Sequence, residues 1–117
     1  MTQLTENFSR VEFACKCGCG YDTVDYALLR LLEVIRNHFN ASVSITSGCR
    51  CVEHNRAVGG SNNSQHKKGR AADIVVSGVP PSKVADFAST LGLSVGRYNT
   101  FTHVDTRSGP AKGWSGS

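Results

Sequence analysis

No apolar run in this chain approaches the roughly 20 residues that a bilayer-spanning helix needs, so no membrane span is expected. The first ten residues, MTQLTENFSR, are polar and lack the apolar centre of a secretory signal. Synthesis in the cytoplasm is the expectation, with any export by another route. Concentrated positive charge is missing too: the net charge is a mild +4, the basic residues are scattered, and Lys67-Lys68 is the one adjacent pair. A nucleic-acid binder usually carries a stronger basic stripe, so no nucleic-acid partner is expected. Internal repeats, low-complexity linkers and the paired C-x-x-C spacing of common zinc knuckles are all missing.

What is present describes a folded protein. At 117 residues, 39% hydrophobic and 19% charged, the chain has the size and composition of one globular domain. We read it as a single, monomeric domain over 1–117, with its core at about 7–107 and a tail from 108 to 117. The five cysteines form two clusters, C-x-C-x-C at Cys15, Cys17 and Cys19 and C-x-C at Cys49 and Cys51. Reduced thiols filling a tight loop, a disulfide between the clusters, and a second, structural metal all fit that pattern.

The residues from Phe13 to Tyr21, with Gly18 and Gly20, read as a compact loop. Asp22 is a candidate cap for the helix that follows, with Asp25 in its first turn. Leu28, Leu31, Leu32, Ile35 and Phe39 then recur at helical spacing and mark a core-facing stripe. Ser42 to Thr46 alternates as a half-buried strand does. A short helix over Cys51 to Val58 and a polar loop from Gly59 to Gly69 lead to a strand over Ala71 to Val76. Pro80-Pro81 opens a helix to about Leu91, and two strands follow at Ser94 to Tyr98 and Phe101 to Thr106. This order predicts an α+β domain with a small, mainly antiparallel sheet and flanking helices. Trp114 is placed to dock the tail.

Two segments carry candidate chemistry. In Ser64-Gln65-His66-Lys67-Lys68-Gly69-Arg70-Ala71-Ala72-Asp73, the His and Asp are seven residues apart. A single helix would separate them by about 10 Å along its axis. A single strand would separate them by roughly 23 Å and put them on opposite faces. They converge only if the chain reverses between them, and Gly69 supplies that freedom. The same spacing also fits a capped turn with an exposed His and an Asp at a strand start. In Phe101-Thr102-His103-Val104-Asp105, residues i and i+2 share a strand face, so His103 and Asp105 point together. That pair fits a ligand beside an acid/base group, and equally a His–Asp hydrogen bond on a sheet surface. Together the segments offer His, Asp and His, the three-ligand set of a catalytic zinc that leaves a position open for water.

The sequence S-x-H-x-x-G-x-A-x-D followed by F-x-H-V-D resembles the M15 metallopeptidases, the D-Ala-D-Ala carboxypeptidase family, and within it the short phage-type and murein endopeptidase branch. Phe8-Ser9, Glu12-Phe13, the Cys-rich loop, Ile45-Thr46-Ser47-Gly48-Cys49-Arg50 and Glu53-His54-Asn55 share that likeness, which covers roughly residues 7–107. It implies a hedgehog-like or DD-peptidase-like fold and a peptidase that cuts peptide stems of bacterial peptidoglycan near D-amino acids. It implies one Zn2+ on His66, Asp73 and His103, with Arg50 orienting a substrate carboxylate or carbonyl and Ser64 contacting substrate. Action on the cell wall, in lysis or from a virion, goes with that reading. Several branches place an acid three residues before the last His ligand, where this chain has Thr100, and others a His two before, where it has Phe101. Asp105 is then the expected general base, taking the proton of the attacking water and passing it to the leaving amine. The competing expectation is a non-catalytic zinc-binding module that recognises wall peptide or a protein partner, as the likeness to hedgehog domains suggests.

Overall fold

The computed structural model describes residues 3–61 and 64–116. Met1 and Thr2 of the polar start, Asn62 and Asn63 of the expected polar loop, and Ser117 of the expected tail lie outside them. Among the described residues, no helix is long and apolar enough to cross a membrane.

Five strands among the described residues form one sheet: β1 (Val43–Ser47), β2 (Ala71–Val76), β3 (Ser94–Arg97), β4 (Thr102–Asp105) and β5 (Gly113–Ser115), in spatial order β1-β2-β4-β3-β5. All neighbours are antiparallel except β3 and β5. The helices are α1 (Tyr26–Phe39), α2 (Val52–Ala57) and α3 (Pro81–Thr90). This is the α+β arrangement with a mainly antiparallel sheet that the sequence indicates.

Period-2 alternation assigns the two sheet faces. Ala72, Ile74 and Val76 of β2, with Val104 of β4 and Val95 of β3, pack into one core with Leu28, Leu29, Leu32 and Ile35 of α1 and Val84, Ala85 and Ala88 of α3. Leu31 and Phe39, the remaining members of the helical stripe, are partly buried against that core. The Thr102 hydroxyl donates to the Pro81 carbonyl at 3.0 Å, fixing the start of α3 to the same face. The opposite face therefore receives Asp73 from β2 and His103 and Asp105 from β4.

Two expectations need correction. The α1 cap is Asp25, not Asp22. The Asp25 carboxylate accepts from the Thr106 hydroxyl at 2.8 Å and its N–H donates to the Gly69 carbonyl at 2.7 Å, so the helix starts where it is tied to the end of β4. The tail, expected as loop from Ser108, carries β5. Its pairing with β3 is closed by Val95 N–H to the Lys112 carbonyl at 2.9 Å and Gly116 N–H to the Arg97 carbonyl at 2.7 Å. Three residues are too few for an alternating pattern to register.

Candidate metal centre

A cleft of about 470 Å³ has His66, Asp73 and His103 among its lining residues. β-Sheet register accounts for two of them: Asp73 lies directly opposite His103 across the β2–β4 ladder. His66 arrives from a 3-10 turn, Gln65–Lys68, that precedes β2. The Ser64 hydroxyl caps this turn, accepting from the His66 N–H at 3.2 Å. The turn ends on Gly69, whose φ of +68° is in the left-handed region. A Cβ there would stand 2.6 Å from the Thr23 carbonyl oxygen, so conformation and space both require glycine. This is the reversal that brings His66 back over Asp73.

The imidazole nitrogens are aimed by their partners. His66 donates Nδ1–H to the Gly48 carbonyl at 2.6 Å, which leaves the Nε2 lone pair facing Asp73 Oδ1 at 3.2 Å. His103 presents Nδ1 to the same Oδ1 at 3.0 Å, while its Nε2 meets Asp105 Oδ2 at 2.7 Å. The three ligand atoms lie within 4.8 Å of one another. A tetrahedral zinc with bonds of about 2.0–2.2 Å separates neighbouring ligands by about 3.3–3.6 Å, close to the 3.0 and 3.2 Å here. An outer oxygen acceptor on the far nitrogen of each His is the support that metal-ligating imidazoles use. The donor set and its spacing thus fit zinc.

Electrostatics follow from the contacts. Burial opposes the Asp73 charge, but the two imidazoles bonded to it outweigh that and hold its carboxyl well below the usual range. Burial also works against a charged His103, yet its bonds to Asp105 and Asp73 raise its pKa overall. Arg50 Nη2 lies 3.4 Å from Asp73 Oδ2, with Nε on the Ser47 hydroxyl at 3.2 Å and Nη1 on Asn55 Oδ1 at 3.3 Å. The guanidinium is thereby held at the cleft wall. Ser64 lines the cleft as well, although its oxygen is also the cap of the His66 turn.

Asp105 does share a face with His103, but it sits behind the ring. It is fully buried, and all of its acceptor positions are taken. Arg107 grips it through Nη2 at 2.6 Å, Nε at 2.9 Å and its backbone N–H at 3.1 Å, and His103 Nε2 takes the remaining position. Burial would raise the Asp105 pKa; the Arg107 fork outweighs it, so the carboxyl is held well below the usual range. The imidazole ring stands between Asp105, on Nε2, and the Nδ1 side that faces Asp73. A general base must come within about 3 Å of its proton or one water away. The geometry therefore favours an orienting role for Asp105 over the proton-accepting one expected from the sequence.

Residues beyond the motifs complete the cleft. Trp114 of β5 stands over Gly96, where an added Cβ would come within 2.6 Å of the indole nitrogen. Its ring is 5.0 Å from that of His103 and lies under the Arg107 guanidinium at 5.1 Å. The indole N–H donates to the Tyr98 hydroxyl at 2.9 Å, and the Tyr98 ring stacks on Phe101 at 4.4 Å. Asn55 is buried and spans Arg50 and the Ser61 carbonyl. The single Trp and the aromatic Tyr98–Phe101 pair were the available signals. Among the described residues lining the cleft, Asp73 is the one carboxylate. His54 does not line it.

A sequence model of the family described as Peptidase M15 matches residues 6–105. The chain is also 39% identical over 85 residues to a protein of Haemophilus influenzae named probable peptidoglycan L,D-endopeptidase MepK. That alignment takes in 66% of this chain and 45% of the relative, so the chain spans about half the length of the curated relative it matches.

Proposed function

Because the chain belongs to the M15 peptidase family, we propose that its cleft is a zinc centre that hydrolyses peptide bonds in the stems of bacterial peptidoglycan. The observation that carries this reading is the convergence of His66, Asp73 and His103 on one point, each His held from behind by an oxygen acceptor. The substrate class is supported by the relative's name as a peptidoglycan endopeptidase.

Zinc would supply Lewis acidity to the scissile carbonyl and acidify water to a pKa near 7. The protein's own groups do the rest. Asp105, gripped by Arg107, fixes His103 with Nε2 protonated and Nδ1 toward the metal. The Gly48 carbonyl fixes His66 the other way round, with Nδ1 protonated and Nε2 toward Asp73. Arg50 offers a positive charge at the cleft wall to a substrate carboxylate or to the oxygen that gains charge during acyl transfer. Ser64 offers its hydroxyl to the peptide from the lip of the cleft. Tyr98, whose oxygen already accepts from Trp114, keeps its own proton free to donate into the cleft. Phe101 and Trp114 give the walls an apolar surface that limits water.

One observation favours a second reading, a zinc-holding module that binds wall peptide without cutting it: Asp73 is the one carboxylate among the described lining residues. Digestion of purified peptidoglycan with and without chelator, followed by mass analysis of the fragments, separates the two. Chelator-sensitive release of stem-peptide fragments is expected. Retention on peptidoglycan without any new fragment would assign the module, and fragment masses name the bond cut.

A further inference from the structure

Some distance along the chain from the catalytic motifs, four of the five cysteines meet. Cys15, Cys17 and Cys19 come from the loop before α1, and Cys51 from the junction of β1 and α2. Their sulfurs all lie within 4.8 Å of one another. Cys15 is 3.4 Å from Cys17 and 3.8 Å from Cys51, and Cys17 is 3.6 Å from Cys51. We propose that these four thiols form a second metal site, a tetrathiolate that holds one structural zinc ion.

Geometry carries the proposal. Four sulfurs around one zinc at about 2.3 Å stand about 3.8 Å apart along the edges of the tetrahedron. The three separations among Cys15, Cys17 and Cys51, 3.4, 3.6 and 3.8 Å, approach that edge. A disulfide instead needs two sulfurs at about 2.05 Å, and all four cysteines are free thiols here. Two sulfurs also accept backbone N–H groups, Cys15 from Cys51 at 3.5 Å and Cys51 from His54 at 3.4 Å. Such N–H donors stabilise negative sulfur, as outer partners of a metal thiolate do. Four soft donors in a tetrahedron select zinc over the hard, oxygen-seeking cations. On binding, each ligating thiol releases its proton to solvent, so four S–H bonds give way to four Zn–S bonds.

The fifth cysteine shows why the site matters. Cys49 is buried, donates its S–H to the Tyr21 carbonyl at 2.9 Å and stands outside the cluster. Its N–H donates to the Phe13 carbonyl at 2.9 Å, and Gly48 packs so close to Phe13 that an added Cβ would stand 2.6 Å from that residue's backbone. The loop before α1 is thus the bed on which the Gly48–Arg50 turn rests. That turn presents the carbonyl that orients His66 and the guanidinium at the cleft wall. A zinc tying Cys15, Cys17 and Cys19 to Cys51 closes a segment of 36 residues and fastens the bed to the turn.

The site shares no ligand with the proposed catalytic centre, and its test is read without any turnover. The intact chain, purified under reducing conditions, is loaded with Co2+ as a spectroscopic stand-in for zinc. Intense sulfur-to-cobalt charge-transfer bands are expected in the parent and in His66→Ala. Loss of the bands is expected in Cys17→Ser/Cys19→Ser, whose sites are exposed in the fold. The zinc-loaded double variant should hold one equivalent less than the parent and melt about 10 °C lower. In the zinc-loaded parent, four thiols should resist alkylation until a chelator is added. Absence of the bands in the parent, their persistence in the double variant, or a mass after denaturing alkylation that reveals a disulfide among these four would each overturn the proposal.

Discussion

Replacing Asp105 by Asn separates the two roles this carboxylate could have. The change keeps an acceptor for His103 Nε2–H but turns an amide N–H2 toward the Arg107 fork, which now approaches at 2.6 and 2.9 Å. Breaking a buried ion pair typically costs 3–5 kcal/mol. Arg107 keeps 22% of its side chain in solvent, so we expect a smaller loss, about 2–3 kcal/mol, or a fall in Tm on the order of 10 °C. Loosening the ring of His103 should weaken zinc by roughly 10–100-fold, the usual effect of losing an outer partner of a ligand. Turnover measured at saturating zinc should then recover most of the parental value. Zinc competition with a chromophoric chelator, thermal melts and peptidoglycan digestion at rising zinc make up the assay. If the variant binds zinc and melts like the parent while turnover falls by about 10²–10⁴-fold, Asp105 is the proton acceptor and the orienting role is wrong.

Arg50→Ala should lower kcat/KM more than kcat and reduce Tm by on the order of 10 °C, since its bonds to Ser47, Asn55 and Asp73 are each worth about 1 kcal/mol; the same stability loss with normal kinetics would make Arg50 structural. Gly96→Ala should push Trp114 off β3 and raise KM, detected as a red shift of the single-Trp emission; unchanged emission would contradict the docking described. Glu33 accepts from the Asn7 N–H at 2.8 Å and the Asn7 side chain at 2.6 Å. Burial pushes its pKa up, but those bonds, with Thr5 and Arg36, outweigh it and hold the folded value below the ordinary one. A depressed folded pKa gives stability that is present above the unfolded carboxylate range and is lost as pH falls through the folded value. The Tm gap between the parent and Glu33→Gln should therefore be largest near neutral pH and shrink toward acid; a gap independent of pH would refute the linkage.

Much of this arrangement is legible in the residues themselves. Ala71 to Val76 reads as a strand because a short run that is apolar except for Asp73 lies between a glycine-bearing turn and Ser77-Gly78. The stripe from Leu28 to Ile35 reads as a buried helix face because its 3.6 period is kept for two turns. Gly69 announces the reversal that His66 and Asp73 need. Strand period also places Asp105 on the His103 face, yet it says nothing of which ring nitrogen points where. That was decided by Arg107, outside the strand, whose fork claims the carboxylate. Trp114 could be seen as a docking residue, but its place beside His103 depends on a three-residue strand and on the bare backbone of Gly96. The cysteines show the limit most clearly. Their spacing left three chemistries open, because the segments carrying Cys15 and Cys51 meet only once β1 is paired and Phe13 has closed on Gly48.

The central claim is that His66, Asp73 and His103 together hold a zinc ion, and metal analysis of His66→Ala, Asp73→Ala and His103→Ala tests it most directly. Measured in the Cys17→Ser/Cys19→Ser background, so that thiolate-bound metal does not contribute, the parent should carry one tightly bound equivalent and each Ala variant close to none. Full retention of zinc by all three would contradict the account.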